Sequence, residues 1–269
     1  MRLPVTQETT GSNPVRTANF MEKRMAYMGT CIYCGQICKV TKDHVPPKVM
    51  LAKQQRMDFS RKGISLYTVN SCEMCNHGSS NTDELFADSV FLALDPSEST
   101  MHSAWKERLP THQKYSFSKL KKLNLKEHVI LGNHGITAST IGVYTFDKKV
   151  LDTTINKVSK AILFKECSKI VGTNFEIENI LVIDTEMVDA CIGFGPPSLI
   201  SYFCTPEFWT YNLWKLHGDV EAYIIVHEIM EKFLIASFIA PPGTINRRSA
   251  TPEDLESPVV LTVDNFVNK

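Results

Sequence analysis

The fold of the N-terminal part is decided by Cys31-Ile-Tyr-Cys34-Gly35, then Asp43-His44-Val-Pro-Pro, then Cys72-Glu-Met-Cys75-Asn76. This stretch contains two Cys-x-x-Cys pairs. Zinc favours four soft ligands in a tetrahedron, and each pair can chelate from one tight turn. The spacing therefore predicts a structural zinc site made by Cys31, Cys34, Cys72 and Cys75. The alternative is chance pairing or disulfides, but a glycine after the first pair is typical of a metal knuckle and favours zinc.

Three further side chains in this stretch are not explained by zinc. A closed four-thiolate site is structural and has no open position for a substrate. Asp43, His44 and Asn76 offer oxygen and nitrogen atoms, which suit magnesium binding and proton transfer. The ordinary pKa of histidine, about 6.5, leaves much of it neutral near physiological pH and able to accept a proton. The pattern therefore predicts a second, chemically active centre next to the zinc.

The order Cys-x-x-Cys, Asp-His, Cys-x-x-Cys-Asn resembles the HNH endonuclease family, whose fold is the ββα-metal finger. It looks most like the zinc-bearing branch that includes phage endonuclease VII. The resemblance covers about residues 28–92 and says nothing about the remaining chain. It implies that His44 is the general base, that Asp43 and Asn76 hold a catalytic divalent ion such as Mg²⁺, and that Zn²⁺ is structural.

One element of the family pattern is missing. The middle asparagine of the family usually lies a few residues before the second knuckle and braces the loop that carries the base. Tyr67 stands about there, and Asn70 is the nearest asparagine. Each site residue also has a plainer interpretation: Asp43-His44 before two prolines as turn chemistry, and Asn76 as a helix cap. Their joint occurrence with two knuckles favours the nuclease interpretation.

Substrate contacts are predicted at basic residues beside this centre. Lys48 and Arg61 are candidates for holding the scissile phosphate. His77, Asp83 and Glu84 lie close in sequence and are weaker candidates for binding phosphate or water on the metal ion. His227-Glu228 begins like a zinc-protease motif. Glu231 stands where the second histidine would be and the segment alternates like a strand, so that interpretation is rejected.

Composition bounds the remaining possibilities. The 269 residues, of which 43% are hydrophobic, suit one large or two small domains with a sizeable core. No apolar run is long enough to span a bilayer, and the first 20 residues lack the apolar core of a signal peptide. Reduced thiols at knuckle spacing then lead us to expect a cytoplasmic protein without a membrane partner.

Attraction to nucleic acid has to be local, because the formal net charge is zero. Two basic runs provide it, at residues 39–62 and 106–126, each with seven lysines or arginines. Charge runs are most often solvated faces. The first run flanks the predicted metal centre, and this position favours contact with phosphate.

The predicted fold class is α+β, with a zinc-stabilised ββα-metal finger followed by a mixed antiparallel α+β domain. We divide the chain into a loose tail (1–27), the finger (28–96) and a domain of unknown role (97–269) that could bind DNA, bind a partner protein or form a homodimer. The predicted strands are 37–45, 64–69, 128–131, 136–144, 177–183, 208–216, 222–229 and 232–240. The predicted helices are 49–56, 76–94 (its start at 76 or 82), 100–108, 116–123, 154–171 and 185–192.

The sequence thus predicts a metal-dependent endonuclease that hydrolyses DNA, and leaves open a setting in phage defence, restriction or a mobile element. Two alternatives stay open. One is a non-catalytic zinc module that binds nucleic acid or protein. The other is an RNA nuclease, because a ββα finger grips phosphate without reading the sugar 2′ position strongly.

Overall fold

The structure is a computed structural model that describes residues 27–93, 147–182, 195–216, 220–231 and 233–245, together with the backbone of strands 126–131 and 137–143. The architecture is mixed α+β, and every strand pair in this part of the chain is antiparallel. No helix within the described ranges combines the length and apolar character needed to cross a membrane. The predicted tail, the helices at 100–108, 116–123 and 185–192 and most of the second basic run lie outside these ranges.

The N-terminal part is a three-stranded sheet followed by helices. Strands β1 (Tyr27–Thr30), β2 (Ile37–Val45) and β3 (Tyr67–Cys72) pair in that order. Helix α2 (Glu73–His77) starts directly after β3, and α3 (Ser80–Ala93) follows it. The prediction for β2 is confirmed residue for residue, whereas the predicted strand 64–69 lies three residues later as β3. A ββα order of elements therefore surrounds the two cysteine pairs.

The connection between β2 and β3 leaves the sheet. It contains a short 3-10 helix (Lys48–Met50) and helix α1 (Lys53–Arg61). Gly63, with φ +70°, ends α1, and the Ile64 N–H donates to the Phe59 carbonyl at 2.8 Å. A residue with positive φ after the last turn is the usual way to stop a helix. Helix α1 therefore begins and ends later than the predicted 49–56. At its start the Gln55 side chain accepts a hydrogen bond from the Ala52 N–H at 3.0 Å, and Gly63 terminates it.

The second part is a long helix lying against a five-stranded sheet. Helix α4 (Lys148–Cys167) precedes β6 (Glu176–Val182), β7 (Leu199–Phe203), β8 (Trp209–Leu216), β9 (Ala222–Ile229) and β10 (Phe233–Ala240). Their order in the sheet is β6-β10-β9-β8-β7. Strands β4 (Lys126–Leu131) and β5 (Thr137–Val143) form a separate hairpin. The strand prediction for β9 is confirmed, which also removes the protease-like interpretation of its His-Glu pair.

Helix α4 differs from the prediction at both ends. It begins six residues before Thr154, because Asp147 caps it by accepting a hydrogen bond from the Lys149 N–H at 2.9 Å. It ends at Cys167 rather than at Val171, because Ser168 takes the left-handed conformation at φ +53° and Gly172 is not the terminating residue. Strands β1 and β7 were not predicted. Both are short, and β7 has only one fully buried residue, Phe203.

One continuous hydrophobic core joins the two parts. Phe86 of α3 lies against Trp209 of β8, with ring centroids 6.3 Å apart, and Tyr67 of β3 stacks on Phe203 of β7 at 5.9 Å. Helices α3 and α4 also pack together. The predicted boundary at residues 96–97 falls outside the described ranges, so the division of the chain stays a prediction. What the packing establishes is that the cysteine-bearing elements share their buried surface with the sheet.

A buried polar network fastens α4 to the sheet. His227 of β9 is fully buried, with Nε2 3.0 Å from Ser159 Oγ of α4 and 3.1 Å from Ser237 Oγ of β10. The indole N–H of Trp209 points at Nδ1 from 3.4 Å. Because an indole nitrogen only donates, Nδ1 accepts and the proton of neutral His227 sits on Nε2. Ser237 in turn donates to Asn179 Oδ1 at 2.7 Å.

This network predicts acid sensitivity. Burial lowers the pKa of His227 from its usual 6.5 to about 3. Between these values the unfolded chain holds one more proton at this residue than the folded chain does. The free energy of unfolding should therefore fall by about 1.4 kcal/mol for each pH unit as the pH drops below about 6.5. Urea unfolding at several pH values measures this slope.

His227→Gln is the matched variant for that measurement. Its amide can still accept from Trp209 and donate to a serine, but it does not titrate. The pH slope of the variant should be smaller by one proton. Equal slopes in the two proteins would show that His227 is not the titrating group.

Candidate metal centre and basic cavity

Four cysteine thiols meet where β1 turns into β2 and β3 turns into α2. The Sγ atoms of Cys31, Cys34, Cys72 and Cys75 all lie within 4.8 Å of one another, and those of Cys34 and Cys72 are 4.0 Å apart. Four ligands about 2.3 Å from a central zinc ion are about 3.8 Å from each other in a tetrahedron. The dimensions of the cluster therefore fit zinc, and the predicted grouping of these four cysteines into a cluster that could hold a zinc ion is confirmed. No disulfide joins any of the described cysteines.

The first knuckle is formed by the backbone. The Gly35 N–H donates to the Cys31 carbonyl at 2.8 Å, and the Cys31 N–H donates to the Gln36 carbonyl at 2.9 Å. Gly35 takes φ +77°, a conformation that costs a side-chain-bearing residue roughly 1 kcal/mol or more. The glycine that pointed to zinc in the sequence is therefore needed to close the turn around both thiols.

The electrostatics of the cluster suit a cation. Burial alone would raise the pKa of the Cys31 thiol, but backbone hydrogen bonds, from Cys72 first, outweigh it and lower that pKa to about 7. Burial and the neighbouring thiols raise the pKa of Cys75 far above its usual value. Thiolates so close together repel one another unless a positive ion lies between them. Lys160 of α4 also stands near, donating to the Tyr33 carbonyl at 2.8 Å, and the negative charge of the thiols partly offsets the lowering of its pKa by burial.

The predicted magnesium ligands lie on one side of β2. Asp43 Oδ2 accepts a hydrogen bond from the Tyr33 hydroxyl at 3.0 Å and pairs with the Lys157 ammonium of α4 at 3.1 Å. Asn76 Nδ2 lies 3.2 Å from Oγ1 of Thr41, two residues before Asp43 on the same strand. Residues two apart on a strand point to the same face. Asp43 and Asn76 therefore share a face of the sheet.

His44 points away from Asp43 and Asn76. Adjacent residues of a strand point to opposite faces, and β2 continues through Val45, paired with Tyr67. His44 lines a cavity of about 400 Å³ together with Lys48, Arg56 and Phe59. The structure thus brings Asp43 and Asn76 to one face and places His44 with the basic residues of the β2–β3 connection.

Lys157 was missed by sequence reasoning. Its ammonium contacts Ser79 Oγ at 2.7 Å, Asp83 Oδ2 at 2.9 Å and Asp43 Oδ2 at 3.1 Å, and it lies 5.4 Å from the Tyr33 ring centroid. The residue is only 8% exposed. No local sequence pattern identifies this residue, because the groups it contacts are 74 to 124 positions away in the chain.

Two other candidates have structural contacts. Asp83 also accepts from Thr154 Oγ1 at 3.0 Å, and burial raises its pKa in spite of the Lys157 charge. Asn70 accepts from Lys42 at 2.9 Å and from the Tyr27 hydroxyl, so it braces β1, β2 and β3. Asn70 is thus occupied within the sheet and does not reach the loop that follows His44.

The basic residues of the connection flank the cavity. Lys48 and Arg56 line it, and a neighbouring cleft of about 500 Å³ is lined by Lys48, Lys53, Arg56 and Arg61. Arg61 also forms an exposed ion pair with Asp58 at 3.3 Å. The sequence singled out Lys48 and Arg61, whereas the structure adds Arg56, which belongs to both clefts. Comparison of the chain with protein-family models, curated proteins and solved structures found no match.

Proposed function

We propose that residues 27–93 form a zinc-stabilised ββα-metal nuclease module and that the protein is a metal-dependent endonuclease acting on DNA. The observation that carries the proposal is the cavity in which His44 lies together with Lys48 and Arg56. A phosphodiester needs a base for the attacking water and positive charge at the phosphate. An imidazole and two cationic side chains in one cavity offer both.

In this proposal the residues have separate roles. His44 takes the proton from the attacking water, and Lys48 and Arg56 hold the phosphate. The guanidinium of Arg56 can bind two phosphate oxygens at once, while the Lys48 ammonium acts as a point charge. Arg61 assists from the neighbouring cleft. The zinc holds β3 and α2 together so that Asn76 keeps its position beside β2.

A divalent ion such as Mg²⁺ would be held by Asp43 and Asn76. Both contacts to Asp43 from described residues fall on Oδ2, which leaves Oδ1 for an ion. The amide of Asn76 contacts Thr41 through its nitrogen, so its oxygen is not used in that hydrogen bond. When bound, such an ion would supply Lewis-acid stabilisation of the phosphoryl oxygens and of the departing oxygen. Because Asp43 and His44 point to opposite faces of β2, the proposal requires the substrate to reach both faces at the end of this strand. Two oxygen ligands suit magnesium, which keeps several waters.

A plasmid-nicking assay with added magnesium tests this proposal. His44→Ala should lower the nicking rate by at least about a hundredfold, because a general base contributes that much or more. The variant should keep its zinc and its melting temperature. Thr68→Ala is the matched control, because Thr68 faces His44 across the β2–β3 pair. Nicking that survives in His44→Ala, or that is lost equally in Thr68→Ala, contradicts the assignment.

A second candidate is a non-catalytic zinc module that binds nucleic acid. It is favoured by the Lys157 ammonium, which already neutralises the Asp43 carboxylate in a site whose side chains are 10% and 13% exposed. It is favoured further by the separation of His44 from Asp43 on opposite faces of β2. This candidate predicts nucleic-acid binding with no magnesium-stimulated cleavage in the wild-type protein. Running the assay on RNA in parallel separates an RNA nuclease from both.

The biological setting follows from the same proposal. Endonucleases of this kind serve phage defence, restriction and mobile elements. A homodimer or a partner protein bound through residues after 97, and a cytoplasmic location, belong to the proposal as well. Sedimentation analysis of the full chain with and without DNA measures the assembly.

A further inference from the structure

The β2–β3 connection carries two adjoining clefts on its solvent side. The first, of about 400 Å³, has His44, Lys48 and Arg56 on its wall and Phe59, Ile64 and Leu66 among its apolar lining residues. The second, of about 500 Å³, is lined mainly by polar and basic side chains. Lys48, Arg56 and Ser60 belong to both. The clefts therefore adjoin and share these three lining residues.

Helix α1, which forms this surface, has little role in the core. None of its residues is fully buried. Residues 53–62 carry four basic side chains, Lys53, Arg56, Arg61 and Lys62, against the single acidic Asp58, a net charge of +3 in a chain whose formal net charge is zero. Only Phe59 of this helix packs against the core, so burial of an apolar stripe holds the helix in place only weakly. Its concentration of positive charge instead suits an anionic partner.

The apolar part of the first cleft distinguishes between anionic partners. Phe59 and Leu66 are partly buried against the core and also line the cleft. A phosphate alone would leave this apolar surface uncovered. A nucleotide unit would cover it, because its base has an apolar face that stacks on an aromatic ring while its phosphate stays among cations. The volume lies in the range of sites that enclose small ligands.

We infer that this surface binds single-stranded nucleic acid. One unstacked base enters the first cleft against Phe59, its phosphate lies between Lys48 and Arg56, and a neighbouring phosphate lies in the second cleft near Lys53 and Arg61. A duplex keeps its bases stacked and paired, so it cannot present a base to Phe59 without base flipping. The inference deepens the proposed function and rests on it for taking the anionic polymer to be nucleic acid.

Fluorescence anisotropy with a short labelled oligonucleotide tests this on the full zinc-loaded chain without added divalent ion. Single strands should bind more tightly than the duplex of the same sequence. Phe59→Leu, which keeps an apolar side chain but removes the ring, should weaken single-strand binding by about fivefold or more. Arg56→Ala should weaken binding and lower the magnitude of the log–log salt slope by about 0.7 between about 50 and about 200 mM salt.

Lys62→Ala is the matched control. Lys62 is an exposed cation next to α1 that lines neither cleft, so its loss should change the affinity less than Arg56→Ala does. A melting temperature for each variant guards against misfolding at Phe59, and Arg56, which is only partly buried, gives an independent measurement. Equal effects of Arg56→Ala and Lys62→Ala, absence of single-strand binding, or tighter binding of the duplex would each overturn the inference.

The result of the binding experiment can be distinguished from the result of the nicking assay. Binding is measured without magnesium and needs no cleavage, so a protein that binds single strands but cuts nothing supports this inference and contradicts the endonuclease proposal. Cleavage of duplex DNA with no preference for single strands does the reverse. DNA and RNA strands of equal sequence tell which sugar is preferred, and either one supports a single-strand site.

Discussion

Cys72→Ser should abolish stable zinc binding and unfold the elements between Tyr27 and Ala93. Structural zinc sites of this kind contribute about 10–16 kcal/mol of apparent binding free energy at neutral pH. The whole stability of a folded domain is typically about 5–15 kcal/mol. Loss of the ion therefore removes as much free energy as the fold possesses. Zinc content, circular dichroism and the rate of limited proteolysis measure the result.

The reason for so large an effect lies in how these elements are joined. The first knuckle leads into β2, and the second lies where β3 turns into α2, so the four thiols connect segments about 40 residues apart in sequence. Cys31, Ile32 and Tyr33 are at most 4% exposed and belong to the shared core. Without the ion, thiols packed as closely as these repel one another when ionised. Removing zinc from the wild-type protein with a strong chelator should reproduce the unfolding expected for Cys72→Ser.

Cys38→Ser is the control for that experiment. Cys38 is the nearest cysteine outside the cluster, with its thiol directed at the Gln36 carbonyl at 3.6 Å. The Cys38→Ser variant should retain one zinc ion per chain and almost the wild-type melting temperature. Equal loss of zinc in both variants would mean that the ligand set is wrong, and a fully folded Cys72→Ser protein without zinc would remove the structural role of the ion.

Lys157→Met is expected to lower the free energy of unfolding by about 3–5 kcal/mol, because breaking a buried ion pair leaves its partner charges unpaired. The ammonium is the shared partner of Asp43 and Asp83, whose side chains are 13% and 10% exposed. Methionine fills a similar volume but has no charge and no donor. Urea unfolding at pH 7 measures the difference.

Two comparisons make the Lys157 experiment specific. Arg61→Met breaks the Asp58 pair, whose side chains are 67% and 44% exposed, and should cost less than about 1 kcal/mol because solvent screens such pairs. The double variant Lys157→Met, Asp83→Leu should recover part of the loss, because one unpaired carboxylate is removed with its cation. If Lys157→Met lowers the free energy of unfolding by less than about 1 kcal/mol, the ion pairs of Lys157 with Asp43 and Asp83 do not hold the two parts of the chain together.

The contacts of Lys157 with Asp43 and Asp83 also show which features of the chain local sequence patterns can predict and which they cannot. The zinc ligands follow from spacing alone, because each Cys-x-x-Cys pair closes within a single turn. Strands β2 and β9 follow from β-branched and alternating residues, and their bounds agree with the prediction. The ends of α4 do not follow from such patterns. Asp147 sets its start by one hydrogen bond and Ser168 sets its end by a left-handed backbone conformation, and hydrophobic periodicity detects neither.

The chemistry of the site shows the same division. Asp43, His44 and Asn76 occur together with the two knuckles in one pattern, which is why they were predicted as one centre. In the structure Asp43 faces Tyr33 and Lys157, whereas His44 lines a cavity with residues of the β2–β3 connection. Strand geometry separates neighbours onto opposite faces, and only the position of the surrounding helices decides what each neighbour meets.

The sequence by itself determined that Cys31, Cys34, Cys72 and Cys75 form a cluster that could hold a zinc ion and that the chain is α+β, because knuckles and alternating strands are local features with fixed spacing. Tertiary structure alone decided that Lys157 neutralises Asp43, that Arg56 lines two clefts and that the cysteine-bearing elements share a core with the five-stranded sheet. These contacts join residues that are distant along the chain or lie in different elements. They depend on how helices pack, and no short pattern of residues specifies that packing.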